Sequence, residues 1–151
     1  LAWGTVALPE LVDLDVVQSC RAYYPLGVSH YRTDFEDPGD WPEPTWPGRY
    51  QGGRWDKGAL EQFYEPFLAL KRRGVAVHCG EGGCYNRTPH DVFLRWFRDS
   101  LEVFAENDIG WALWNFRGPF GVMDSRRADV DYEEFHGHQL DRELLTLLQQ
   151  Y

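Results

Sequence analysis

Four residues of this 151-residue chain, Arg21, Tyr23, Glu81 and Trp114, have side chains that could act together on a substrate. Glu81 ends the apolar run Val75-Ala76-Val77-His78-Cys79 and is set among Gly80, Gly82 and Gly83, which let backbone or substrate approach closely. Strict alternation puts Glu81 on the face of Val75, Val77 and Cys79, which in a barrel is the interior. A carboxylate there is costly unless it is paired or working. Arg21 and Tyr23, two residues apart on an earlier strand, can hold it by one charge-assisted and one hydroxyl hydrogen bond. Trp114 ends a third strand and offers a flat apolar platform. Pyranose faces stack on indole while a carboxylate serves as nucleophile or base, so the set fits a sugar. Each residue also has a plainer reading: Glu81 and Arg21 as an ion pair in a turn, Tyr23 as barrel filler, Trp114 as core.

Trp41 and Trp46 lie in Trp41-Pro42-Glu43-Pro44-Thr45-Trp46-Pro47, a Pro-rich polar stretch with little reason to use two indoles for packing. Ligand stacking is the expectation, and a rigid lid stapled down by its rings is the alternative. Cys79 and Cys84 flank Gly80-Glu81-Gly82-Gly83, so a small disulfide loop competes with buried, idle thiols, and the thiols are favoured. His78 beside Cys79 does not make a metal site, because strand neighbours point to opposite faces and no second ligand pair follows. No metal and no cofactor are expected.

The elements that must position these residues alternate. Val16–Tyr23 reads as a strand stopped by Pro25. Asp34 to Gly53 has no period and reads as one long loop, and loops longer than about 12–15 residues are usually functional. Asp56 caps a helix to about Arg73 that Pro66 should kink or divide. Val75–Gly80 follows, apolar enough for a strand buried on both faces. Thr88 as N-cap, with Pro89 at the first position, opens a helix to Asn107. Ile109–Phe116 is a third strand, and a last helix runs from about Gln139 to Gln149. Strands alternating with helices imply right-handed crossovers and a parallel sheet, whose strand C-termini share one edge. Ligands bind at that edge in open sheets and barrels alike, and Arg21, Tyr23, Glu81, Trp114 and the loop carrying Trp41 and Trp46 all fall there.

Composition narrows the partners. With 24 acidic against 15 basic residues, a net charge of −9 argues against nucleic acid or an anionic membrane. No apolar run reaches the roughly 18 residues of a membrane span. Aromatic residues make up 16% of the chain, which means either a ring-rich core or a stacking surface. Leu1-Ala2-Trp3-Gly4 reads as a cut beginning, leaving the compartment open.

Three segments carry a resemblance. They are Val77-His78-Cys79-Gly80-Glu81-Gly82-Gly83, Asn86-Arg87-Thr88-Pro89-His90-Asp91, and Gly110-Trp111-Ala112-Leu113-Trp114-Asn115-Phe116-Arg117-Gly118. In this order they resemble the last third of glycoside hydrolase family 5, the cellulase family of the retaining (β/α)8-barrel clan. Tyr23-Tyr24-Pro25 with Val28-Ser29-His30-Tyr31 is similar to its sixth strand and following loop, and Leu1–Gly4 to the tail of the fifth. The resemblance implies an α/β fold: the C-terminal half of a TIM barrel, three to four parallel βα units, as one partial domain over residues 1–151. It implies Glu81 as nucleophile, Tyr23 as its hydrogen-bond donor and Trp114 under the sugar, with His30 and Arg21 beside them. Many members have His where this chain has Arg21, which keeps a donor but cannot carry a proton near neutral pH.

The family's acid/base is a Glu in an Asn-Glu-Pro segment, and no such tripeptide occurs here. A complete barrel needs about 250 residues. The expectation is therefore a fragment of a cellulase-like hydrolase acting on a β-linked glucan, secreted as the resemblance implies, with doubtful activity alone. Apolar faces shaped for closure should make it a homo-oligomer or the partner of a complementary N-terminal half. The other reading is a non-catalytic carbohydrate-binding or assembly module. Asp34, Asp37, Asp40 and Asp124 are the acids that loops bring to the correct edge.

Overall fold

The computed structural model describes residues 6–35 and 41–151. The proposed strand tail Leu1–Gly4 and the nominated acids Asp37 and Asp40 lie outside the described residues. In chain order the elements begin with β1 (Gln18–Ala22), α1 (Leu26–Ser29), β2 (Gly48–Tyr50), β3 (Gly53–Trp55) and α2 (Lys57–Arg72). They continue with β4 (Val77–Gly82), α3 (His90–Glu106), β5 (Gly110–Leu113), β6 (Glu133–Phe135), β7 (His138–Leu140) and α4 (Arg142–Leu148). β1, β4 and β5 form a parallel sheet in the order β1-β4-β5, and two small antiparallel hairpins, β2/β3 and β6/β7, stand apart from it. This is the parallel α/β arrangement expected of a half-barrel.

Both long helices cover one face of the sheet. α2 starts where the Asp56 side chain accepts from the Ala59 amide at 3.1 Å, and Lys71 and Arg72 complement the dipole at its end. It buries Leu60, Tyr64, Phe67, Leu68 and Leu70. α3 buries a wider stripe, including Phe93, Trp96, Phe97, Leu101 and Phe104. Against them lie Cys20, Ala22, Val77 and Cys79, in a single apolar core between sheet and helices.

The opposite face is open. Ser19, His78, Gly80 and Gly110 point away from the helices and are exposed. β4 is thus buried on one face, and the uncovered concave side is small and polar rather than apolar, correcting both expectations. Side chains on that side must share the narrow axis of a barrel, which favours small residues.

Other local readings change too. Pro66 neither kinks nor divides α2, which is continuous over 16 residues. Its ring and Gln62, whose carbonyl it leaves unbonded, are on the exposed side, where water replaces the missing donor. Thr88 is not the cap of α3: its hydroxyl donates to the Val28 carbonyl at 2.5 Å. The N-cap is Pro89, and the Asp129 carboxylate, from far along the chain, accepts from the His90 amide at 2.7 Å. α4 begins later than expected because residues 138–140 pair as β7. Asp141 caps it, accepting from the Leu144 amide at 2.9 Å and facing His90 Nε2 at 2.8 Å. The stretch Asp34–Gly53 is not one loop, since Gly48–Trp55 folds into the β2/β3 hairpin.

Candidate active site

Glu81 reaches its position through a bulge. Cys20 is paired with Cys79, but the next pair is Arg21 with Glu81, so β4 has one extra residue, Gly80. A Cβ on Gly80 would stand 2.7 Å from Ser19 Oγ, which places residue 80 on the open face. Without the bulge, Glu81 would share the helix side with Cys79, as strict alternation suggests. The extra residue turns it instead beside Arg21, a common use of bulges next to active sites. Gly83 finishes the turn at φ 148°, where a Cβ would meet the Trp114 carbonyl oxygen at 2.8 Å, so only glycine fits.

Both carboxylate oxygens of Glu81 are held. Oε1 lies 2.8 Å from Arg21 Nε, and Oε2 accepts from the Tyr23 hydroxyl at 2.8 Å. Tyr23 is buried, and that burial, followed by its bond to Glu81, holds its hydroxyl far above the usual tyrosine range. Its hydroxyl thus stays protonated as the donor to Glu81. His30 packs edge-on against Tyr23 at 5.0 Å, its Nδ1 2.8 Å from Ser29 Oγ. The Ser29 hydroxyl in turn donates to the Tyr23 carbonyl, fixing the start of the loop after β1.

A cleft of about 250 Å³ opens over this group, lined among the described residues by Arg21, Tyr23, His30, Phe35, Glu81, Trp114 and Phe120. Trp114 follows β5 directly, its amide donating to the Gly82 carbonyl at 2.7 Å. Its indole is 51% exposed, which leaves a ring face free for a ligand. Of the sequence-predicted site residues, the structure brings together Arg21, Tyr23, His30, Glu81 and Trp114.

The two loop tryptophans are not in the cleft. Trp46 is 3% exposed within the main core, and its indole N–H donates to Asp99 Oδ2 on α3 at 2.9 Å. The stapled-lid alternative describes it, because the β2/β3 hairpin folds the Pro-rich segment back onto the helix layer. Trp41 lies half-buried over Gly27 and does not line the cleft. Phe35 and Phe120, which sequence reasoning passed over, take their place as apolar walls. An isolated ring in the polar stretch after His30 was the available signal for Phe35; Phe120 in Gly118-Pro119-Phe120-Gly121 had none.

Glu81 is the one carboxylate among the described residues lining the cleft. Asp124 accepts from the Gln139 amide at 2.9 Å, lies 2.8 Å from His138 Nδ1 and pairs with Arg117. These contacts, the Gln139 amide first, hold it down to about 2, so it cannot serve as a proton donor near neutrality. Asp34 accepts from the Tyr85 hydroxyl; burial first, and then this carboxylate, push Tyr85 up. All three cysteines are free. Cys79 lies beside Cys20, whose thiol is the main cause of its raised pKa, followed by burial, while Cys84 donates to the Val28 carbonyl. The Cys79–Cys84 loop is therefore not closed. In the segment Asn86-Arg87-Thr88, Asn86 Nδ2 donates to the Ser125 carbonyl and Thr88 to the Val28 carbonyl.

Sheet, bulge and cleft define a class: part of a (β/α)8 barrel carrying a doubly held carboxylate and an indole at its strand ends. The comparisons find glycoside hydrolases among the proteins it is similar to. A solved glycoside hydrolase is 44% identical with a TM-score of 0.91, covering 96% of this chain and 44% of that one. Endoglucanase Cel5A of Thermotoga maritima is 18% identical with a TM-score of 0.70, covering 95% and 42%, and shows the fold alone. Endoglucanase C of Acetivibrio thermocellus is 22% identical over 152 residues, covering 83% of this chain and 44% of its own length. The chain thus spans less than half the length of the relatives it matches. No family model matches it. The family 5 resemblance read from the sequence is consistent with these neighbours.

Proposed function

We propose that this chain is the nucleophile-bearing half of a retaining β-glycan hydrolase site. β1, β4 and β5 stand for the sixth, seventh and eighth barrel strands, within a single partial domain. The observation that carries this is Glu81 held at both oxygens beneath an exposed indole. In the first step a Glu81 oxygen attacks the anomeric carbon as the glycosidic C–O bond breaks, and the leaving oxygen departs with the bonding pair. Water then displaces Glu81, with net retention. Arg21 and Tyr23 orient the carboxylate, and Trp114 carries the sugar ring.

Natural leaving groups need a proton from a second carboxyl about 5–5.5 Å away in retaining enzymes. That acid would come from the complementary barrel half. The substrate class is a β-linked glucan. Support comes from Thermotoga maritima Cel5A, one of whose solved complexes holds the glucan fragment cellobiose; another holds mannotriose, so a β-mannan is the neighbouring choice. Among the described residues the parallel sheet has β1 and β5 as its edge strands, with Val16, Val17 and Phe116 exposed nearby. Strands of an N-terminal half or of a second copy would cover them, and sedimentation as a monomer at micromolar concentration contradicts the second-copy form.

That Glu81 is the one carboxylate among the described residues lining the cleft favours one alternative, carbohydrate binding without turnover. An activated aryl β-glycoside, whose leaving group needs no acid, separates the two. The chain is expected to cleave it, and Glu81→Gln to lose on the order of 10⁴-fold. Equal hydrolysis by both, or binding with no cleavage by either, overturns the catalytic reading.

A further inference from the structure

A second cavity, of about 550 Å³, opens on the other side of the aromatic wall that bounds the cleft. Tyr85 lines it and packs against Phe35 at 5.7 Å and Phe120 at 5.5 Å, both of which line the Glu81 cleft. Three guanidinium groups meet there, from Arg87, Arg117 and Arg126, against two carboxylates, Asp34 and Asp124. Arg117 and Asp124 neutralise each other at 2.5 Å. Arg87 and Arg126 are exposed and have no ion pair among the described residues. In a chain of net charge −9, the described residues lining this shelf have a local excess of one positive charge.

Two further details describe its wall. Asn86 lines the cavity, and its buried Oδ1 has no hydrogen-bond partner, while its Nδ2 is used on the Ser125 carbonyl at 2.6 Å. It is an acceptor suited to a hydroxyl. Arg126 is held at φ 57°, a left-handed conformation unusual for a residue with a side chain.

From this we infer that the glycan leaving the Glu81 cleft bears a singly charged anionic substituent, a uronate carboxylate or a sulfate ester. Arg87 and Arg126 receive it. An excess of one positive charge matches a monoanion, and guanidinium forks suit planar carboxylate and sulfate oxygens. The inference rests on the cleft being a sugar site.

Calorimetry on the 151-residue chain at low salt tests it with three probes: cellotetraose, cellotetraose with one glucuronate unit, and cellotetraose carrying one 6-sulfate. At least one charged probe should bind about tenfold tighter than the neutral one, as a charge-assisted hydrogen bond supplies. The double variant Arg87→Gln, Arg126→Gln should bind all three like cellotetraose, with neutral binding unchanged. Which charged probe gains identifies the substituent. Equal binding of all probes, or a preference that survives in the double variant, overturns this inference and leaves the cleft intact. Binding of none overturns the cleft reading together with it.

Discussion

The strand-end cleft and the loop layer behind it use the same side-chain types to opposite ends. In the cleft Arg21, part-exposed, meets a carboxylate, and Trp114 leaves half its surface open. Behind it Arg127 is buried and meets carbonyls: Cys84 at 3.0 Å, Tyr85 at 3.2 Å and Thr88, with its guanidinium 4.8 Å above the Phe93 ring. Trp46 likewise is sealed in the core with its one donor used. The difference is one of satisfaction. The loop layer turns most of its strong groups onto the protein itself, with Asn86 Oδ1 and Arg127 Nε left over, while the cleft sets a held carboxylate beside an exposed ring.

If that contrast holds, the two tryptophans should separate cleanly. Trp46→Ala should cost about 3–5 kcal/mol of unfolding free energy, as loss of a large core ring does. Trp114→Ala should change it by about 0.5 kcal/mol or less while weakening oligosaccharide binding. Denaturant melts and calorimetry on both variants check this, and equal destabilisation would erase the distinction.

A smaller effect sharpens the loop side through pH. The Asp124 pKa is lowered from 3.8 to about 2 in the folded chain by the Gln139 amide, His138 and Arg117. A depressed carboxylate contributes stability that is complete above its unfolded value and disappears as pH falls through the folded one. The window is therefore about pH 4 to 2. Asp124→Asn should make acid unfolding shallower within it and leave the slope above pH 5 unchanged; an unchanged slope below pH 4 would contradict the assignment.

Much of the cleft was legible because its logic is local. Gly80-Glu81-Gly82-Gly83 after an apolar strand, and Arg21 and Tyr23 two apart, encode a strand-end carboxylate with its donors, and parallel crossovers bring them to one edge. Face assignment failed at Glu81, because a one-residue bulge reverses alternation and nothing in the Gly-rich segment announces it. The loop layer was hardly legible at all. Arg127 and the Asp129 contact to α3 depend on partners about 40 residues away, which periodicity does not report, and the β6/β7 hairpin pairs strands of three residues, too short to show a period. Trp46 misled for the same reason: its acceptor, Asp99, sits on a helix 53 residues later. The polar concave face shows that the apolar signal in the strands belongs to the helix side.

The central proposal is that Glu81, the one carboxylate among the described residues lining the cleft, acts as the nucleophile. A 2-deoxy-2-fluoro β-glucoside with a dinitrophenolate leaving group needs attack but no protonation, and its ester hydrolyses slowly. Incubated with the chain and mapped by peptide mass spectrometry, it should add one fluoroglucosyl group to the peptide containing Glu81, and none in Glu81→Gln. No adduct at saturating reagent, or an adduct on another carboxylate, would contradict the account.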